Sequence, residues 1–139
     1  MVIESFEYKG IEFEVDDGLM ANKHSIYEYS KILYILFPEK RWIYVEEDDY
    51  QGEWFAIGID NDGYWFQQGS FGTCSGCDQL QAIDSIESAK EFLEMMNRTV
   101  LIGKSADEAI SYLKNTAKNC WSDAGIVIDQ LIEQLRERT

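Results

Sequence analysis

The strongest constraint on the fold is a pair of strand-like runs in the middle of the chain, separated by a turn sequence. The first run covers residues 53–60 (E-W-F-A-I-G-I-D) and the second covers residues 64–68 (Y-W-F-Q-Q). Aromatic and β-branched residues dominate both runs and favour a pleated strand. Asn61-Asp62-Gly63 lies between them, and these residue types tolerate or readily adopt positive φ. The pattern predicts an antiparallel hairpin with Gly63 at positive φ.

Alternation along the first run separates two faces of this hairpin. Phe55 and Ile57 point one way, and Trp54 points the other way. The Phe55 face is predicted to be core. The opposite face, where Trp54 would lie with Trp65 or Tyr64, has two interpretations: a helix-covered core surface or an exposed aromatic recognition patch.

The rest of the chain predicts a second hairpin, one further strand and several helices. Residues 5–8 and 11–15 flank Lys9-Gly10 and alternate apolar with acidic residues, and residues 16–21 read as a loop. A helix that opens at a Ser25–Glu28 capping box is stopped by Pro38, and residues 41–45 read as a strand. A capping box of Asp84 and Glu87 opens a predicted helix near residues 85–97, and one of Ser105 and Glu108 opens a predicted helix near residues 105–117. A last helix is predicted near residues 122–136, and residues 99–102 are predicted to form a strand or a helix tail.

This order of elements predicts one α+β domain over residues 1–139. The expected architecture is an antiparallel sheet of about five strands (two hairpins plus one strand) with helices packed on one face. A chain of this length can bury a substantial core.

The net charge is −14, and the imbalance is concentrated in the middle of the chain. No Lys or Arg occurs between Arg41 and Lys90, whereas acidic residues are frequent there. Contacts to phosphate need Lys and Arg, so this distribution disfavours direct binding of nucleic acid or of an anionic membrane. It favours either a basic protein partner or simply high solubility.

An acidic turn, residues 46–49, precedes the aromatic hairpin, and together they form the predicted interaction surface. Aromatic anchors surrounded by charge are typical of an interface in which charges speed the encounter of two proteins and buried aromatic side chains then hold the complex together. The leading hypothesis is therefore a small acidic binding or inhibitor protein that covers a basic, nucleic-acid-binding surface of a partner, as phage anti-defence (anti-CRISPR) or toxin-immunity proteins do. The residues predicted to form this surface are Glu46, Glu47, Asp48, Asp49, Tyr50, Trp54, Tyr64 and Trp65.

The alternative hypothesis rests on the C-x-x-C of Cys74 and Cys77. Asp78 is a plausible helix N-cap, and a helix N-terminus lowers the pKa of a nearby thiol, which suits a redox site. A zinc site would need two more ligands, for which Cys120 and His24 are the candidates. Zinc is the one cofactor left open, and packing of the glycine-rich turn is the third interpretation of the cysteines.

No catalytic residues are predicted, since no local signature of a Ser-His-Asp or Cys-His site is present. No phosphate-binding glycine loop matches either. These observations favour a binding protein over an enzyme.

One resemblance concerns Y-Q-G-E followed by G-S-F-G-T-C-S-G-C-D, which covers residues 50–82. This pair of motifs resembles one found in small uncharacterised bacterial and phage proteins. The resemblance implies no activity, cofactor or partner.

The apolar runs and the first residues predict a cytoplasmic protein with reduced thiols. No apolar run reaches membrane-spanning length, and M-V-I-E-S-F-E-Y-K-G lacks the basic start and apolar core of a signal peptide.

Overall fold

The computed structural model describes residues 2–16, 19–22, 29–47, 52–71, 85–119 and 124–138. The elements in chain order are β1 (Val2–Tyr8), β2 (Ile11–Asp16), β3 (Leu19–Asn22), α1 (Tyr29–Leu36), β4 (Arg41–Glu46), β5 (Gly52–Asp60), β6 (Gly63–Phe71), α2 (Ile86–Met96), β7 (Val100–Gly103), α3 (Ala106–Lys118) and α4 (Ala124–Glu137).

The predicted α+β class is confirmed: the strands form antiparallel sheets, and helices pack against them. The described strands are divided between two sheets, in the orders β1-β2-β3 and β4-β5-β6-β7. The loop predicted at residues 16–21 is wrong in part, because Leu19–Asn22 pairs with β2 as a third strand. Of residues 99–102, for which the sequence allows a strand or a helix tail, residues 100–102 lie in the strand β7.

The four-stranded sheet is covered on both faces, which differs from the expectation of helices on one face only. All six residues from Trp54 to Ile59 in β5 are buried. Since successive side chains point to opposite faces, burial of the whole run requires a cover on each side. Helices α1 and α2 form one cover, and α3 and α4 form the other.

Two hydrophobic cores result, one on each face of the four-stranded sheet. The α1–α2 core also receives Phe13 from β2, so the three-stranded sheet lies on this side of the molecule. Its buried members are Phe13, Tyr29, Ile32, Leu33, Leu36, Phe37, Trp42, Trp54, Ala56, Ala89, Phe92, Leu93 and Met96. The α3–α4 core comprises Ile43, Val45, Phe55, Ile57, Ile59, Phe66, Ala109, Leu113, Ala124, Val127, Ile128, Leu131, Ile132 and Leu135.

The two predicted hairpin turns are confirmed. Lys9 and Gly10 adopt φ of 52° and 77° and join β1 to β2. Asp60 pairs with Gly63 across the second turn, and Gly63 adopts φ of 145°. A Cβ on Gly63 would lie 2.5 Å from the carbonyl oxygen of Gly103, so glycine is also required by the close approach of β7.

The start of α2 differs in detail from the predicted capping box of Asp84 and Glu87. Ser85 is the N-cap: its hydroxyl accepts the Ser88 backbone N–H, and the Ser88 hydroxyl accepts the Ser85 backbone N–H. Reciprocal bonds of this kind satisfy two N–H groups that would otherwise lack partners. The predicted cap of α3 is confirmed at Ser105.

Candidate interaction surface

Trp54, one of the residues predicted for an exposed surface, lies in the α1–α2 core. Its side chain is 0% exposed and stacks between the rings of Tyr29 and Tyr44, at centroid distances of 5.2 and 5.6 Å. Gly69 faces it across the strand pair, and a Cβ there would lie 2.5 Å from the indole nitrogen. The helix-covered interpretation is thus correct for Trp54, and this residue does not contribute to an exposed aromatic patch.

Tyr64 and Trp65, the other aromatic residues of the predicted surface that the structure describes, do not lie together. Tyr64 pairs with Ile59 and packs against the α3–α4 core, whereas Trp65 pairs with Gly58 on the opposite face. Glu46, in contrast, pairs with Trp54. The row of Trp54 and the row of Gly58 are four residues apart along β5, which is about 13 Å. Glu46 and Trp65 therefore lie towards opposite ends of the sheet.

Of the acidic turn, Glu46 and Glu47 lie within the described residues, while Asp48, Asp49 and Tyr50 lie outside them. The carboxylate of Glu46 is exposed and accepts the Tyr44 hydroxyl at 2.9 Å. That of Glu47 accepts the Glu53 backbone N–H at 2.6 Å. Glu47 thus has a structural role, and Tyr44 with Glu46 is a neighbouring aromatic–acidic pair that the sequence alone did not indicate.

A second feature missed from the sequence is a cluster that we call the Lys40–Asp60 corner, formed by Glu39, Lys40, Asp60 and Trp65. The ammonium group of Lys40 lies 3.0 Å from Asp60 Oδ2 and 3.1 Å from Glu39 Oε1, and it lies 4.6 Å from the centre of the Trp65 ring. Asp60 Oδ1 accepts the Trp65 indole N–H at 3.0 Å and the backbone N–H groups of Asp62 and Gly63. An Asp directly before Asn-Asp-Gly was a usable sequence signal for this turn.

The environment of this corner stabilises both charges. Burial by itself would raise the pKa of Asp60, but the hydrogen bonds from Trp65 and Lys40 outweigh it and hold the pKa below its ordinary value. Burial would lower the pKa of Lys40, but its bonds to Asp60 and Glu39 raise it. Lys40 and Asp60 each bond to more than one partner, so the corner ties the β5–β6 turn to the segment that precedes β4. A cavity of about 320 Å³ lies beside it, lined by Glu39, Arg41, Ile59, Asp60, Asn61 and Asp62.

An exposed acidic pair occupies the outer face of the first hairpin. Glu7 and Glu12 are directly opposite each other in the β1–β2 register, and both side chains are exposed. The alternate residues Phe6 and Phe13 point inward, where their rings stack at 5.8 Å. Within the described parts of the chain, no Lys or Arg forms an ion pair with either glutamate, since the pairs found there are those of Lys40. Like charges placed directly opposite destabilise a strand pair.

A stripe of glutamates lies on the exposed side of α2. Glu87, Glu91 and Glu94 follow one another at intervals of four and three residues and are all exposed. The stripe reaches the hairpin at Tyr8. Burial raises the pKa of Tyr8, the negative charge of Glu94 raises it further, and the positive charge of Arg98 opposes this shift. Cations lie at the same junction, since Lys90 of α2 is 6.0 Å from the centre of the Phe6 ring and Lys9 donates to Asn97 Oδ1 at 2.9 Å. The glutamate stripe is therefore interspersed with lysines where α2 meets the hairpin.

The redox and zinc candidates Cys74, Cys77, Cys120 and His24 all lie outside the described residues, so the thiol and zinc hypotheses stay predictions. Among the residues that the structure describes, no group of three or more His, Cys, Asp or Glu side chains is arranged to hold a metal ion. In the same residues, no helix combines the length and the apolar character needed to cross a membrane.

Comparison of the chain with models of protein families, with curated proteins and with solved structures finds no match.

Proposed function

We propose that this protein is a small acidic binding protein that covers a basic, nucleic-acid-binding surface of a partner protein in the cytoplasm. Phage anti-defence proteins and toxin-immunity proteins are examples of this class. The observation that carries the proposal is the exposed Glu7–Glu12 pair, held in direct cross-strand register on a protein of net charge −14.

This pair has a free-energy cost in the isolated protein. Two carboxylates that face each other across a strand pair repel, at a cost of the order of 0.2–1 kcal/mol. A partner that places Lys or Arg between them would remove that repulsion and gain attraction. The net charge would also attract such a partner from a distance and raise the association rate at low salt.

The proposed surface differs from the one expected from the sequence. Trp54 is buried, and the half-buried Trp65 has Lys40 over one face of its ring, so neither provides a freely exposed aromatic anchor. The carboxylates that support the proposal are the hairpin pair Glu7 and Glu12, the exposed glutamates of α2 and the exposed Glu46.

The test begins with affinity capture from a native lysate at low salt, followed by a nucleic-acid-binding assay on the recovered protein. The expected partner is basic, binds nucleic acid on its own, and loses that binding when one equivalent of this protein is added. A partner whose nucleic-acid binding persists in the complex would contradict the proposal.

Two variants of equal charge then locate the surface. Glu7→Gln with Glu12→Gln removes two carboxylates from the hairpin, and Glu133→Gln with Glu137→Gln removes two exposed carboxylates from α4, on the other side of the sheet. The hairpin variant should associate with the partner about three- to tenfold more slowly, and its association rate should depend less on salt. The association rate of the α4 variant should change less than that of the hairpin variant. Equal slowing in both variants would mean that net charge alone attracts the partner.

A further inference from the structure

A groove between α3 and α4 lies on the face of the molecule opposite the three-stranded sheet. Both helices cover the α3–α4 core with their inner sides and leave the groove on their outer sides. Its volume is about 460 Å³, which is within the range of ligand-binding clefts. The residues that line it are Lys114, Ala117, Lys118, Gly125, Ile126 and Asp129.

The chemistry of this groove is unlike the rest of the surface. Ile126 is 59% exposed, the largest value among the exposed large hydrophobic residues of the described chain. Lys114 and Lys118 stand four residues apart on the α3 wall, and residues 109–119 contain no Asp or Glu. A protein of net charge −14 thus presents a local surface that combines an apolar floor with two cations.

We propose that this groove docks an acidic, amphipathic helical segment of a partner protein. An apolar side chain of that segment would cover Ile126, and two carboxylates four residues apart would face Lys114 and Lys118, because both helices repeat at that spacing. Asp129 on the α4 wall fixes the orientation, since it repels the acidic edge of the segment from that side. A second copy of this chain is disfavoured as the occupant, because two proteins of this net charge repel each other.

Binding of a synthetic helical peptide tests the proposal directly. The probe carries Glu at two positions four residues apart beside a row of Leu, and the matched peptide has Gln in place of both Glu. Fluorescence anisotropy at about 0.15 M salt screens the repulsion between the peptide and the distant acidic surface. The Glu peptide should bind at least tenfold more tightly than the Gln peptide. Equal affinities, or no binding of the Glu peptide up to about 1 mM, would overturn the proposal.

Two protein variants with the same net charge locate the binding site. Lys114→Glu with Lys118→Glu should weaken binding of the Glu peptide at least tenfold. Lys31→Glu with Lys104→Glu changes two exposed lysines outside the groove and should change the affinity less than about threefold. Equal losses in both variants would show that the peptide responds to net charge and not to the groove.

Two further measurements separate the contributions of the surfaces. Ile126→Ala should weaken binding severalfold, since the apolar contact is lost, whereas the hairpin variant Glu7→Gln with Glu12→Gln should leave peptide binding unchanged. Sedimentation equilibrium of the unmodified protein should show a monomer. A dimer that is lost in the Lys114→Glu, Lys118→Glu variant would assign the groove to a second copy and overturn the proposal of a different partner.

Discussion

The Lys40–Asp60 pair allows the sharpest test of how the central hairpin is held. Asp60→Asn keeps an oxygen that can accept the N–H groups of the turn and of Trp65, but it removes the charge that faces Lys40. Lys40 is only 8% exposed, and its remaining partner would be Glu39, whose side chain is 58% exposed. Hydrogen bonds to charged groups contribute about 1.5–3 kcal/mol, and an unpaired buried charge costs about 3–5 kcal/mol. We expect a loss of about 2–4 kcal/mol in the free energy of unfolding.

A double-mutant cycle with Lys40→Met separates the pair from the other contacts of each residue. Lys40→Met removes the buried cation, while Asp60 still accepts three N–H donors, so this variant should lose less unfolding free energy than Asp60→Asn. The loss in the double variant should be smaller than the sum of the two single losses, with a coupling free energy of about 1.5–3 kcal/mol. Urea denaturation at neutral pH gives these values, and Lys104→Met, at an exposed lysine, is the control with an expected change within about 0.5 kcal/mol. Additive losses would refute the role assigned to the ion pair.

The pH dependence of stability provides a second readout of the same pair. The pKa of Asp60 is lowered in the folded protein, so its contribution is present above the ordinary pKa of 3.8 and is lost as the pH falls through the lower folded value. The pKa of Lys40 is raised, so its contribution is present below 10.5 and is lost as the pH rises beyond that value. The Asp60→Asn variant should therefore lose less stability than the unmodified protein between about pH 5 and pH 2.

Three further predictions concern the sheets and their helices. Gly63→Val should destabilise the protein by about 3 kcal/mol, because it combines strain at positive φ with a clash against β7. Gly10→Ala also has positive φ but meets no neighbouring atom, so it should cost only about 1 kcal/mol. Equal melting temperatures for these two variants would contradict this reasoning. Gln67→Leu should cost about 1–2 kcal/mol in urea denaturation, because the buried amide donates to carbonyl oxygens at the end of α2. Glu7→Lys should stabilise the protein by about 0.5 kcal/mol, because the side chain opposite Glu12 would then attract it instead of repelling it. High salt should abolish this gain in stability, and a gain that persists at high salt would point to another cause.

Local sequence patterns were sufficient to predict most of the elements. The Asn61-Asp62-Gly63 turn and the Lys9-Gly10 turn were predictable, because positive φ restricts the residue types that these positions accept. Pro38 and the cap at Ser105 likewise marked helix ends from nearby residues alone. Leu19–Asn22 was missed as a strand because a short strand without a strong alternating pattern depends on the neighbour with which it pairs.

The composition of a candidate interaction surface could not be predicted in the same way. The sequence showed an acidic turn and several aromatic residues close together in the chain, but register decides which of them meet. Pairing of Glu46 with Trp54, and of Trp65 with Gly58, separates them along the sheet. The acidic face of the first hairpin was visible as alternation, whereas the direct opposition of Glu7 and Glu12 also needed the register of the strands.

The sequence by itself determined the α+β class, the antiparallel hairpins, the turn glycines and the strongly acidic charge, because each depends on residues that are near one another in the chain or on composition alone. Only the tertiary structure decided that Trp54 is buried, that both faces of the central sheet are covered, and that Lys40 meets Asp60. These features depend on contacts between distant segments, such as the packing of Tyr29 on Trp54. A strand that is apolar on both faces favours a cover on each side, but the helices that provide these covers are specified elsewhere in the chain.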